Sequence, residues 1–131
     1  MGQQQLLLII LGVIIVGIAI AVGLSMFSAQ SISSNKDAMI NDLNNIFANA
    51  YQYKIRPQSM GGGGGSYAGY QIPATLSVNE NGFYRALTVT DTTVSFEAKS
   101  AQDSSNRTIR VTIGPDGRPK PATWVYTGDF Q

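Results

Sequence analysis

The chain has 131 residues, nine of them basic and eight acidic, with no cysteine and no histidine. Disulfide frameworks and thiolate sites are therefore excluded, and so are the commonest general base, the usual zinc ligand and the switch that titrates near neutrality. A net charge of +1 sets up no long-range field for nucleic acid. With only 13% of residues charged, uncharged Ser, Thr, Asn, Gln and Gly do much of the solubilising.

The start, Met1 to Gln5, carries no Lys or Arg, so it lacks the basic region of a secretory signal peptide. Leu6 to Leu24 follows as LLLIILGVIIVGIAIAVGL, without a charge or a strongly polar group. As a helix, roughly nineteen residues reach about 28 Å, close to the hydrocarbon thickness of a bilayer. The run is apolar all round, so every face must be covered. Lipid can do that, and so can the packed centre of an assembly of many copies. Gly12, Gly17 and Gly23 interrupt the run, with Ala19 and Ala21 between. In a close-packed array such small residues let helix backbones approach.

From Ser28 to Arg56 the pattern turns amphipathic. Ile32, Met39, Ile40, Leu43, Ile46, Phe47, Ala50 and Tyr51 recur at steps of three and four, with Asn and Asp between. No Pro or Gly falls between Leu24 and Arg56, so one helix is expected from near Gln3 to near Ile55, about 80 Å long at helical rise. Pro57 restricts Arg56 to extended backbone and should end it.

Gly61 to Gly65 are five consecutive glycines. A phosphate cradle would need the lysine and hydroxyl that follow in a P-loop, and Ser66-Tyr67 does not supply them, so a linker or surface loop is expected. Asn81-Gly82 marks a tight turn. Four strand signals follow: Tyr84 to Thr90; Val94, Phe96 and Ala98 alternating with polar residues; Ile109, Val111 and Ile113 doing the same; and Ala122 to Thr127. Short turns join them, Pro115-Asp116-Gly117-Arg118 being the strongest. The expected fold is α+β: a long N-terminal helix, hydrophobic then amphipathic, packed on a C-terminal four-stranded antiparallel sheet. Residues 1–27 are the hydrophobic helix, 28–56 the amphipathic half, 57–83 the glycine-rich loop region and 84–131 the sheet. The expected helix–sheet core joins Ile40, Leu43, Phe47 and Tyr51 to Val94, Phe96, Ile109, Val111 and Ile113.

Asp91, Glu97, Asp103, Asp116 and Asp129 fall in turns or at outward strand positions and are expected to be solvated rather than catalytic. No carboxylates have the spacing of a calcium loop. Asn106-Arg107-Thr108 fits the N-glycosylation acceptor pattern in an expected turn.

A long helix with an apolar first half, followed by an antiparallel sheet on its second half, resembles the type IV pilin family, in a divergent form that also suits an archaeal-flagellin-like filament protein. Gln3 to Leu24 and the continuation to Ile55 carry the resemblance. Two positions depart from the family pattern: Met1 stands where pilins carry a methylated phenylalanine, and Gln5 where they carry glutamate. A cut after Gly2 would leave a leader of only two residues, a further departure from the family pattern. The resemblance implies a homopolymeric extracellular filament whose subunits sit in the membrane before assembly. It implies no catalytic site, cofactor, metal, nucleic acid or small-molecule substrate. The residues expected to pack between subunits are Gln5, Leu8, Leu11, Gly12, Ile15, Gly17, Ile18 and Val22. The competing expectation is a single-pass membrane-anchored β-domain that acts as a binding or assembly partner.

Overall fold

The structure, a computed structural model, describes residues 2–130; Met1 and Gln131 lie outside it. Helix α1 spans Gly2–Ile55 and is followed by a 3-10 turn at Gln58–Met60 and a one-turn helix α2, Ala74–Ser77. The strands are β1 Gly82–Val89, β2 Val94–Ser100, β3 Arg107–Ile113 and β4 Val125–Gly128. They form one antiparallel meander in the order β1-β2-β3-β4. The architecture is thus the expected long helix and four-stranded sheet, mixed α+β. The chain divides into two compact units, one ending at Ser34 and one beginning at Asn35.

In the second unit, α1 contributes one buried stripe: Asn35, Met39, Leu43, Ile46, Phe47 and Ala50. The steps of four, four, three, one and three keep these side chains on one face. The sheet's inner face follows from register. Val94 pairs with Ile113, Phe96 with Val111 and Ala98 with Ile109, and all six are at most 1% exposed. Phe47 meets the ring of Phe96 at a centroid distance of 5.5 Å, tying helix to sheet. Two residues expected in this core sit elsewhere. Tyr51 is 37% exposed, its ring lying against the turn at Gly117, and Ile40 is half-buried. The stripe runs through Ile46 and Ala50, so Tyr51 falls one step past its edge.

The fourth strand is shorter than the alternation implied. Pro121–Thr123 forms a 3-10 turn, and only Val125–Gly128 pairs with β3. The Thr123 hydroxyl explains the arrest, donating to the carbonyl of Lys120 at 2.7 Å while accepting the N–H of Thr112 at 3.0 Å. Strand β1 carries a bulge at Leu87, between Ala86 opposite Phe96 and Thr88 opposite Ser95.

The glycine run caps the helix. The last carbonyls of an α-helix lack intrahelical partners. Here Gly63 N–H donates to the Tyr53 carbonyl at 2.8 Å, Gly65 to Lys54 at 2.6 Å and Gly64 to Arg56 at 2.9 Å. A Cβ on Gly62 would overlap the backbone of Arg56, and Gly65 has φ +99°, outside the range of ordinary L-residues. The loop is pinned beyond by Tyr67, whose hydroxyl donates to the Gly114 carbonyl at 2.8 Å and whose N–H reaches Asp91 O at 3.1 Å.

Phe96 is fully buried between Phe47, Tyr70 and its strand neighbours. Phe96→Ala should destabilise the domain by about 3–5 kcal/mol, as for other aromatic truncations in cores. Thermal unfolding followed by the fluorescence of Trp124, the single tryptophan, measures this; a loss under about 1 kcal/mol would mean that the site collapses around the gap.

Candidate functional site

The conspicuous feature is the apolar stretch of α1. From Leu6 to Leu24 every Leu, Ile and Val is 52–68% exposed, with no face sheltered. The stretch is long and apolar enough to cross a membrane by length and composition. Contiguous apolar surface on a soluble monomer is usually limited to a few hundred Å². The packing residues expected from the sequence all lie on this stretch or just before it. Leu8, Leu11, Ile15, Ile18 and Val22 are exposed, and Gln5 is exposed in the second helical turn. At Gly12, Gly17 and Gly23 an added Cβ would meet nothing within 4 Å. Nothing among the described residues therefore requires glycine at these positions, although each weakens a helix by about 1 kcal/mol relative to alanine.

A polar seam lies where α1 enters the second unit, and the sequence shows no pattern that joins its members. One oxygen of Asp42, Oδ2, accepts hydrogen bonds from Tyr84 Oη at 2.6 Å, Asn79 Nδ2 at 2.9 Å and Asn81 Nδ2 at 2.9 Å. Asn35 donates to the Asn81 carbonyl at 3.2 Å and accepts from Ser100 Oγ at 2.7 Å. Asn79 also closes the Asn81-Gly82 turn, its Oδ1 accepting both following N–H groups. Burial works against ionising Asp42, but the donors from Tyr84, Asn81 and Asn79 outweigh it and hold the carboxyl below its ordinary range. Burial and the Asp42 carboxylate together push the Tyr84 hydroxyl well up, so it stays a donor. Burial alone raises Tyr70 to about 12, and its hydroxyl donates to Asn49 Oδ1 at 2.9 Å. The seam is donor-rich around a single carboxylate, which suits holding helix to sheet and not binding a cation.

Glu97 overturns the expectation that the strand and turn carboxylates are all solvated. It points away from the helix, as the alternation implied, yet is 1% exposed. Register places it between Arg85 on β1 and Arg110 on β3. Arg85 Nη2 lies 2.6 Å from Oε1 and Arg110 Nε 2.8 Å from Oε2, with Lys99 Nζ at 3.8 Å. The arginines fold over the carboxylate and remain more than half exposed themselves. Burial opposes ionisation of Glu97, and the hydrogen bonds from Arg110 and Arg85 reverse that and lower its pKa. Asp91, Asp116 and Asp129 are exposed and Asp103 is half-buried, in turns or at a strand end. Asn106 is exposed in the turn before β3, its amide 3.4 Å from Asp129 Oδ1. Among the described residues no group of three or more His, Cys, Asp or Glu is placed to hold a metal ion.

No protein-family model, no characterised protein and no solved structure matches this chain.

The two carboxylates set an acid limit. Both are held below their unfolded values, so their contribution is complete above those values, about 3.9 and 4.3, and fades as pH falls through the folded ones. Thermal melts read by Trp124 should therefore drop below about pH 4. The Asp42→Asn/Glu97→Gln variant should melt lower at neutral pH and depend less on acid. An unchanged acid slope in that variant would assign the effect to other groups.

Proposed function

We propose that this chain is the structural subunit of an extracellular helical filament, held together by packing of its Leu6–Leu24 helices and serving adhesion or motility at the cell surface. Before assembly the same helix would sit in the membrane. The supporting observation is the apolar stretch itself, exposed on every face and carried on the same unbroken helix, Gly2–Ile55, whose later turns lie under the sheet. A domain tethered to a membrane by a flexible linker would show a break after the anchor, and residues 25–34 are helical throughout. The glycines add weight. Open space beside Gly12, Gly17 and Gly23 costs helix stability with no return inside the chain, whereas a neighbouring helix could use it for close approach. Gln5, one of three consecutive glutamines before the apolar run, must find a partner if it enters that core, since an unpaired buried amide costs roughly 1–3 kcal/mol.

Electron microscopy of material sheared from cells tests the reading: thin filaments made of this chain are expected. Chain confined to the membrane fraction, with no filaments, would favour the anchored-domain alternative. Each large aliphatic side chain moved out of water contributes about 1.5–3 kcal/mol, so Ile14→Asp at the centre of the run should abolish assembly. Gly17→Leu is the sharper probe. An added Cβ there meets no atom within 4 Å among the described residues, so the Trp124 melt should be unchanged while filament yield falls. Normal filaments from both variants would refute packing through this helix.

A further inference from the structure

The second unit separates its charges by end. At the end where α1 enters, marked by Asn35, the turns 79–82 and 101–106 and the close of β4 come together, as the bonds Asn35–Asn81, Ala101–Asn81 and Asn106–Asp129 show. Five carboxylates gather there, Asp37, Asp42, Glu80, Asp103 and Asp129, against Lys36, Lys99 and Arg107. The opposite end, where α1 stops at Ile55, brings together the glycine cap, the β1–β2 turn and the connection from β3 to β4, joined through Tyr67 to Asp91 and Gly114 and through Lys54 to the Pro115 carbonyl. Lys54, Arg56, Arg118 and Lys120 gather there against Asp91 and Asp116. One end thus carries an excess of two negative charges and the other an excess of two positive.

The charges left over at each end are not used within the domain. Among the described residues the ion pairs are those around Glu97 and the pair Arg107–Asp129. Lys36 sits over the Tyr126 ring at 4.1 Å. Asp37 and Glu80 at one end, and Arg56, Arg118 and Lys120 at the other, are exposed and, among the described residues, their side chains make no hydrogen bond; the bond at Arg118 is from its backbone N–H to Asp116.

We propose that the acidic Asn35 end of one copy docks on the basic Ile55 end of the next, so that the folded domains stack head to tail along the direction of their own helix. The inference rests on the filament reading, which needs a repeating contact between identical chains. Charge complementarity between the two ends of one surface meets that need, because a heterologous contact repeats without closing and gives a helical array. It also sets polarity: two like ends brought together repel. The helix packing supplies affinity, and the charged ends fix register and direction.

The test is a charge exchange in the full chain, with filaments counted in sheared material. Arg118→Glu/Lys120→Glu should cut filament yield by about tenfold or more, a factor that corresponds to 1.4 kcal/mol in an association constant. Asp37→Lys/Glu80→Lys should do the same. Combining all of these substitutions exchanges the sign at both ends and should restore assembly. Trp124 melts report folding in every variant; should a reversal melt low, Arg118→Gln/Lys120→Gln takes its place, with a smaller loss expected. Wild-type yield from either reversed end, or no recovery in the combined variant, overturns end-to-end docking and leaves the filament reading intact. Absence of filaments from the unaltered chain overturns both.

Discussion

Water does not tolerate a helix that is apolar on every face, and residues 6–24 of α1 form such a helix. Everything else in the chain is compatible with that constraint. Polar residues dominate once the run is over, and the helix continues with one face apolar instead of all of them. The change from full to half coverage happens without a proline or glycine between Leu24 and Arg56. One element therefore carries both the part that needs a covering outside this chain and the part that the sheet covers.

The helix is fastened in the second unit by two different kinds of contact. Along its length the fastening is dry: Met39, Leu43, Phe47 and Ala50 are buried, and the Phe47 ring meets Phe96 of β2. At its two ends it is polar. Asp42 and Asn35 meet the turn before β1, and the glycine run folds back onto the final carbonyls. Burying a polar group is costly only if it is left unpaired, and no buried side-chain polar atom lacks a partner among the described residues. The polar ends restrict where along the helix the sheet can sit, a restriction that a smooth apolar stripe does not supply.

The outer face of the sheet follows a separate logic. Glu97 organises Arg85, Arg110 and Lys99 into one cluster at its centre. Removing the carboxylate would leave three neighbouring cations without their common partner. At the domain's two ends, by contrast, Asp37 and Glu80 on one side and Arg56, Arg118 and Lys120 on the other are exposed and outside any ion pair among the described residues, and they differ in sign. That separation gives the proposed stacking its direction. In the same picture the apolar helix would supply most of the cohesion, because exposed ion pairs contribute only about 0.2–1 kcal/mol each.

The sequence by itself determined whatever depends on local repetition. Uniform apolarity from Leu6 to Leu24, steps of three and four up to Tyr51, and strict alternation through Val94–Ala98 and Ile109–Ile113 specify a helix and strands because side-chain direction repeats with the backbone. Pro57 ended the helix where its ring geometry requires. Only the tertiary structure decided what depends on residues far apart in the chain. Asp42 and Tyr84 are 42 positions apart, and no periodicity brings them together. Glu97 occupies an outward strand position, which read alone means solvent; register sets an arginine on either side and buries it. The glycine run reads as a linker or surface loop, and only the folded chain returns its N–H groups to Tyr53, Lys54 and Arg56. Tyr51 fits the helical spacing and still lies outside the core, because the stripe's width is set by the sheet that covers it. Local pattern fixes which way each side chain points, and the long-range pairing of strands and turns decides what it meets there.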